Sequence, residues 1–228
     1  MATTEFKDAR RDLRGLTSKL EKRALLWLAA RMPAWVNSDH LTVLGLLAML
    51  GAGAAYWMGG HDVRWLHAVN ALLAVNWFGD SLDGTLARFR DRCRPRYGFY
   101  VDHMVDMLGA LFLLGGLALS GYMSAPVAVA VLLGYYLLSM NVYLATYTLG
   151  VFQISFGGLG GTELRLMLVA GNVLVMQAPH LTVAGFQVFD VAGALAAAGM
   201  MVTLVVAVLR NTRTLYRLEP LARSPVSR

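Results

Sequence analysis

Four aspartates lie inside apolar segments of this chain. Asp80 and Asp83 fall in the segment that begins at Trp65, and Asp102 and Asp106 fall in the segment that follows a short basic loop. An ionised Asp at the centre of a membrane helix costs about 2.5–3.5 kcal/mol on insertion scales. A fold that brings these side chains together therefore needs cations to compensate their charge.

The spacing of the polar and small residues around these aspartates predicts two helices, each with its functional side chains on one face. The residues that recur at helical spacing are Asp80, Asp83, Gly84, Ala87 and Arg88 before the loop, and Gly98, Asp102 and Asp106 after it. Offsets of three, four, seven and eight residues return to the same face of a helix. We therefore expect the two helices to present their carboxylates to each other.

The composition indicates one polytopic membrane domain. Hydrophobic residues make up 57% of the 228 residues and charged residues only 15%, which is too apolar for an ordinary soluble domain. The formal net charge is +6, but basic residues in a membrane protein report topology first, so we expect no nucleic-acid partner. Cys93 is the single cysteine, which excludes an internal disulfide and a cysteine-based metal site.

The apolar segments predict an all-α fold with six transmembrane helices. The predicted spans are 41–59, 65–90, one that begins at Gly98, 126–147, 162–176 and 189–209. The end of the second span and the loop after it contain four arginines, Arg90, Arg92, Arg94 and Arg96, whereas the outer turns at 121–125 and 179–187 contain no Lys or Arg. By the positive-inside rule both termini are cytoplasmic, and the acidic site opens towards the cytosol. We expect an integral protein of a bacterial cytoplasmic membrane.

The chain divides into three parts. Residues 1–36 contain eight Lys and Arg, with apolar residues at helical spacing, and predict an amphipathic juxtamembrane helix. This helix either lies on an anionic membrane face or packs along the cytoplasmic surface of the protein itself. Residues 37–210 form the six-helix domain, in which Asn37 or Ser38 caps the first span, and 211–228 form a basic cytoplasmic tail.

Four carboxylates within predicted membrane spans, beside small residues and one arginine, indicate chemistry on a nucleotide diphosphate ester. Carboxylate oxygens suit Mg²⁺ or Mn²⁺, and a pair of such ions can clamp a diphosphate. Gly84 and Ala87 remove bulk where a nucleotide could approach the helix, and Arg88 can meet a phosphate with its forked donors. One of the aspartates can also remove a proton from an attacking hydroxyl.

The string Asp80-x-x-Asp83-Gly84-x-x-Ala87-Arg88, followed by Gly98-x-x-x-Asp102-x-x-x-Asp106, resembles the signature of the class I CDP-alcohol phosphatidyltransferases. The resemblance implies a homodimer with two Mg²⁺ or Mn²⁺ ions per protomer. It also implies transfer of a phosphate-linked group from a CDP-activated donor to an alcohol acceptor, with CMP as the leaving group, in phospholipid biosynthesis.

The resemblance also implies a role for each matching residue. Asp80, Asp83 and Asp102 would hold the metal ions, and Asp106 would share a metal and act as the base. Contacts to the nucleotide would come from Gly84, Ala87 and Arg88.

The sequence departs from the family pattern before the first span. The family often shows Pro-Asn-x-Leu-Thr there, and this chain has Ser38-Asp39-His40-Leu41-Thr42. Asp39 and Thr42 are candidate nucleotide contacts, although helix capping explains them as well. A histidine directly after Asp102, here His103, resembles the pattern of the family branch that uses CDP-choline or CDP-ethanolamine. The alternative is that His103 is simply a packed or interfacial residue.

The candidate acceptor-binding residues are His103, Glu163, Arg165 and Tyr147. Arg165 could hold the phosphate of a soluble acceptor, whereas Glu163 with tyrosine faces could hold an ammonium group. The structural alternative is that Glu163 and Arg165 cap and anchor a helix end, and that Tyr147 belongs to an interfacial belt.

Several functions remain open on the sequence alone. We expect CDP-diacylglycerol as the donor, because a site in the bilayer can take a lipid from the side while a soluble acceptor arrives from the cytosol. The alternative within the family is transfer from CDP-choline or CDP-ethanolamine to diacylglycerol. A divalent-cation transporter would explain charges in spans, but not the offsets of Gly84, Ala87, Arg88 and Gly98. An inactive scaffold is disfavoured because nothing in the motif is missing.

Overall fold

The computed structural model describes residues 18–150, 161–179 and 181–221. They form helices and one short hairpin: α1 (Ser18–Arg31), α2 (Ser38–Gly59), α3 (Trp65–Phe89), α4 (Pro95–Ser120), α5 (Ala125–Leu149), α6 (Gly161–Gln177), β1 (Thr182–Val183), β2 (Phe186–Gln187) and α7 (Val188–Leu218).

Asn37 starts α2, as one of the two capping alternatives predicted. Its side-chain oxygen accepts a hydrogen bond of 3.1 Å from the backbone nitrogen of His40. In return His40 Nδ1 accepts from the backbone nitrogen of Asn37 at 3.3 Å. The two bonds form a capping box, which satisfies backbone donors that the first turn of a helix leaves free.

Helix α2 packs against both α3 and α4, the helices that carry the aspartates. A Cβ atom at Gly79 of α3 would lie 2.6 Å from the carbonyl oxygen of Leu41. A Cβ atom at Gly116 of α4 would lie 1.9 Å from the carbonyl oxygen of Gly53. Glycine at these crossings therefore permits backbone-to-backbone contact, the arrangement that small residues provide in membrane helix bundles.

The other helices surround this group. Helix α5 packs on α7 and α4, α6 packs on α3, and α1 packs on α3. Leu25 and Ala29 of α1 are buried together with Leu82 and Leu86 of α3. The larger core lies mainly between α2, α3 and α4, includes one buried residue from each of α5, α6 and α7, and contains the fully buried Tyr56. The N-terminal part of the described chain thus covers the outside of the aspartate-bearing helix α3.

Four helices of the described chain are long and apolar enough to cross a membrane, namely α2, α4, α5 and α7. Only 11% of the residues in the most apolar stretch of α7 are buried inside the protein, as expected for a helix with one face towards lipid. Helix α3 has polar residues such as Asn70 and Asn76 among its apolar ones, and α6 is shorter, with 17 residues. The predicted all-α fold is confirmed apart from one short hairpin, and the four apolar helices support the predicted membrane protein. The count of six spans stays a prediction.

Some features differ from the sequence prediction or lie beyond it. The turn before α7 contains a two-stranded antiparallel hairpin, in which Thr182 pairs with Gln187 and Val183 with Phe186. Helix α7 continues to Leu218 without a break at the predicted domain boundary. Residues 1–17, which belong to the predicted amphipathic helix, and residues 151–160, between the fourth and fifth predicted spans, lie outside the described residues.

We predict that Gly116→Ala destabilises the protein, because the added methyl group would overlap the backbone of α2. Overpacking of this kind typically costs about 1–3 kcal/mol. Gly115→Ala is a matched control, since a Cβ atom there meets nothing within 4 Å. It should be neutral or slightly stabilising, because Ala favours a helix over Gly by up to about 1 kcal/mol. Thermal unfolding in detergent checks both variants, and equal midpoints for the two would contradict the close α2–α4 contact.

Candidate active site

One cavity of about 40 Å³ contains all four predicted aspartates. It is lined by residues from four helices: Thr42, Gly45 and Met49 of α2; Asn76, Asp80 and Asp83 of α3; Asp102, Val105, Asp106 and Gly109 of α4; and Arg165 of α6. The predicted meeting of two carboxylate-bearing helix faces is therefore found in the structure. Space of this size is enough for water molecules or small ions.

Asp83 is held by the helix across the cavity. The hydroxyl of Thr42 donates to Asp83 Oδ2 at 2.6 Å, which links α2 to α3. A short bond of this kind to a carboxylate is stronger than one between neutral groups. Thr42, which the sequence offered as a nucleotide contact or a capping residue, thus orients a carboxylate in this structure.

Asp80 is paired with an arginine from α6. Arg165 Nη2 lies 2.5 Å from Asp80 Oδ2, and both side chains are largely shielded, at 17% and 29% exposure. Arg165 Nε also donates to Asn76 Oδ1 at 2.7 Å, and Asn76 Nδ2 donates to the carbonyl oxygen of Gly45 at 3.0 Å. A continuous chain of polar contacts therefore runs from α2 through α3 to α6 and fixes the direction of the guanidinium group.

Asp102 and Asp106 enter the cavity from α4, one helical turn apart. Both lie on the wall that also includes Gly109, where a Cβ atom would lie 3.2 Å from Met49 Cγ, so that glycine permits a close approach of α4 to α2. Asp106 is exposed, whereas Asp102 is half-buried.

The charge of the cavity favours cations. Among its lining residues there are four carboxylates and one guanidinium group, so negative charge exceeds positive charge. Carboxylate oxygens are the ligands that Mg²⁺ and Mn²⁺ prefer, and the donor set therefore fits these ions. Within residues 18–150, 161–179 and 181–221, no three Asp, Glu, His or Cys side chains are close enough to hold a metal ion as they stand. In this structure Thr42 and Arg165 occupy oxygens that such ions would use.

The predicted nucleotide-contacting residues lie in the C-terminal part of α3 and at the start of α2. The side chain of Arg88 extends back over Gly84, where a Cβ atom would lie 3.3 Å from Arg88 Nη1. Arg88 is exposed, and Ala87 and Gly84 are half-buried. Asp39 forms an ion pair with Arg94 of the loop before α4. Thr42 lines the cavity, whereas Asp39, Gly84, Ala87 and Arg88 do not, and the nucleotide-binding role of all five stays a prediction.

Of the predicted acceptor-binding residues, Arg165 reaches the cavity. His103 packs between aromatic rings, with centroids 4.2 Å from Phe99 and 4.9 Å from Tyr143. Tyr147 is 91% exposed and lies near the end of α5. Glu163 lies in the first turn of α6, beside but not among the cavity residues. Arg165 therefore lines the cavity, and the other three candidates do not.

Two residues that contribute to this region were missed in the sequence. Asn76 lies one turn before Asp80 on the same face of α3, and a polar residue at that spacing in an apolar helix is the signal that could have identified it. Glu21 of α1 accepts hydrogen bonds from α3 and α6, including one of 2.9 Å from Trp77 Nε1. No sequence signal links residue 21 to α6, because that contact depends on how α1 packs.

Comparison with known proteins gives two matches. The family described as CDP-alcohol phosphatidyltransferase matches residues 35–211, the greater part of the chain. The chain is 30% identical over 106 residues to the archaetidylinositol phosphate synthase of Pyrococcus horikoshii. The matched region covers 46% of this chain and 53% of the relative, so the chain spans about half the length of that relative.

We predict that Arg165→Met weakens the fold and increases its stabilisation by Mg²⁺. The substitution removes the guanidinium donors from Asp80 and Asn76, and loss of a hydrogen bond to a charged group costs about 1.5–3 kcal/mol. It also leaves the carboxylates more negative, so that added cations bind more favourably. Thermal unfolding with chelator and with Mg²⁺ measures both effects.

Arg64→Met is the control for this experiment. Arg64 pairs with Asp62 in the turn between α2 and α3, and its side chain is 86% exposed. We expect a change of less than about 0.5 kcal/mol there. Equal Mg²⁺-dependent shifts in the native protein and in Arg165→Met would contradict a cation site beside Asp80.

Proposed function

Since the chain belongs to the CDP-alcohol phosphatidyltransferase family and is a transferase of that class, we propose that it transfers a phosphate-linked group from CDP-diacylglycerol to an alcohol acceptor with release of CMP. The observation that carries this proposal is the meeting of Asp80, Asp83, Asp102 and Asp106 around one cavity. A site of this charge suits a reaction in which a diphosphate is bound through cations and cleaved.

The chemistry assigns a separate task to each group. Asp106 takes the proton of the acceptor hydroxyl, whose oxygen forms a bond to the phosphorus that carries the lipid. The bond from that phosphorus to the oxygen of CMP breaks, and CMP leaves with the electron pair. Asp80, Asp83 and Asp102, with Asp106, are the residues that would hold two Mg²⁺ or Mn²⁺ ions, which neutralise the diphosphate charge when bound. Thr42 orients the carboxylate of Asp83 at 2.6 Å.

A lipid donor is supported by the apolar outer surface of α4, the helix that carries Asp102 and Asp106. Met104, Leu108 and Leu111 are exposed on this helix at 42%, 39% and 43%, on the face opposite the two aspartates. A helix with such a surface suits a place in the bilayer, so the cavity that it lines lies where a lipid donor resides. The nucleotide part of the donor would contact Gly84, Ala87 and Arg88, with Asp39 close by at the start of α2.

A phosphorylated polyol is the acceptor that we propose. The archaeal relative is named for the synthesis of archaetidylinositol phosphate. The guanidinium group of Arg165 is directed into the cavity through its bonds to Asp80 and Asn76, and a planar guanidinium group matches phosphate oxygens well. His103, Glu163 and Tyr147 lie outside the cavity lining and would act, if at all, at its entrance.

We propose the following membrane arrangement. Helices α2 to α7 form the six spans, with both termini and the active site on the cytoplasmic side, and α1 is the amphipathic juxtamembrane helix. The support is the charge distribution of the connecting turns, together with the apolar length of α2, α4, α5 and α7. The homodimer implied by the family resemblance is part of the same proposal.

Purified protein should release CMP from CDP-diacylglycerol when Mg²⁺ and a phosphorylated polyol are present. Excess chelator should abolish the release, because the acidic cavity repels an unscreened diphosphate. Parallel reactions with CDP-choline or CDP-ethanolamine and diacylglycerol test the alternative donor. Release of CMP only in those reactions would mean that the CDP-linked head group is the donor and that the lipid is the acceptor. If no donor gives CMP, and proteoliposomes show a divalent-cation flux instead, the transferase proposal is wrong.

We predict that Asp106→Asn lowers the rate of CMP release by about 10²–10⁴-fold, the typical contribution of a general base. The affinity for the CDP donor in the presence of Mg²⁺ should change much less, since the amide keeps one oxygen and the size of the side chain. Rapid-quench rates and equilibrium binding separate the two effects. A near-native rate, or a defect confined to donor binding, would mean that Asp106 is a ligand alone.

A further inference from the structure

Glu21 of α1 is the acceptor in a junction that joins three helices. Its Oε1 atom accepts hydrogen bonds from Trp77 Nε1 at 2.9 Å, from Thr162 Oγ1 at 2.9 Å and, more weakly, from Ser81 Oγ at 3.5 Å. Trp77 and Ser81 belong to α3, and Thr162 belongs to the first turn of α6. One carboxylate oxygen thus ties α6 to α3 through a residue of α1.

The junction lies directly beside the Asp80–Arg165 pair. Asn76 and Asp80 are the two α3 residues that bind Arg165. Trp77 directly follows Asn76 in the chain, and Ser81 directly follows Asp80. On α6, Thr162 precedes Arg165 by three residues, a spacing that places both side chains on one face of the helix. The first turn of α6 is therefore held to α3 by two adjacent sets of polar contacts.

Apolar packing contributes little to the position of this turn. Leu164, Leu166 and Met167 are exposed at 53%, 55% and 51%. The buried residues of α6, Asn172 and Val175, lie in its second half. The direction of the first turn, and with it the place of Arg165, therefore depends on its hydrogen bonds.

We propose that Glu21 is a positioning residue of the active site, which holds Arg165 at the cavity by fixing the start of α6 through Thr162. The proposal rests on the proposed function, in which Arg165 binds the phosphate of the acceptor. It gives α1 a part in catalysis besides any contact with the membrane surface. If Glu21 only anchored α1, its replacement would leave the acceptor site of the folded protein unchanged.

The test compares Glu21→Ala, Glu21→Gln and the control Lys22→Ala. Lys22 is the exposed neighbour of Glu21 on α1. We expect Glu21→Ala to raise the KM for the phosphorylated acceptor about tenfold, the factor that corresponds to about 1.4 kcal/mol, with a smaller change in kcat. Glu21→Gln keeps the Oε1 acceptor and should restore the native KM, and Lys22→Ala should match the native protein.

Two further measurements keep the test decisive. Thr162→Val removes the hydroxyl at constant size, and it should raise the acceptor KM as Glu21→Ala does, without a further increase in the double variant. Hydrogen exchange of a peptide that covers 161–167 should be faster in Glu21→Ala and in Thr162→Val than in Lys22→Ala. This second readout does not depend on turnover.

The proposal is overturned if Glu21→Ala loses activity only in proportion to folded protein, with an unchanged acceptor KM and unchanged exchange at 161–167. It is also overturned if Glu21→Gln is as defective as Glu21→Ala, or if Thr162→Val behaves as the native protein does. If Glu21→Ala does not fold, Thr162→Val decides alone. Absence of CMP release from the native protein would refute the proposed function instead, and the exchange result would still show whether Glu21 fixes the start of α6.

Discussion

Backbone contact between α2 and its two neighbours is the constraint on which the site depends. Gly79 lets α3 approach the backbone of α2 next to Asp80, and the contact between Gly53 and Gly116 does the same for α4 further along the helix. Any side chain at these crossings would push the helices apart. The carboxylates of α3 and α4 then could not line a space of about 40 Å³, and Thr42 could not reach Asp83 at 2.6 Å.

The sequence predicts the helices and the acidic site well, because both depend on short-range periodicity. The apolar segments predict the starts of α2 to α7 to within about three residues, although α7 continues to Leu218 and not to 209 as predicted. The spacing of Asp80, Asp83, Asp102 and Asp106 correctly predicts that they meet. Asn37 was one of two alternatives for the first cap, and the capping box confirms it.

The rest depends on contacts between residues that are distant in the chain. The pairing of Arg165 with Asp80 joins residues 85 positions apart, and the bond from Thr162 to Glu21 spans 141 positions. No local pattern encodes such partners. The hairpin before α7 was missed for another reason, since two-residue strands are too short to show an alternating pattern, although Ala184 and Gly185 adopt the positive φ angles of a tight turn.

Asp80 and Asp83 are each satisfied by a donor of the protein itself, namely the guanidinium group of Arg165 and the hydroxyl of Thr42. A zinc finger needs its metal in order to fold, because the metal supplies the contacts that hold its ligands together. In this bundle a hydroxyl and a guanidinium group supply such contacts for two carboxylates. Removal of divalent cations is therefore expected to leave the helices folded around the cavity.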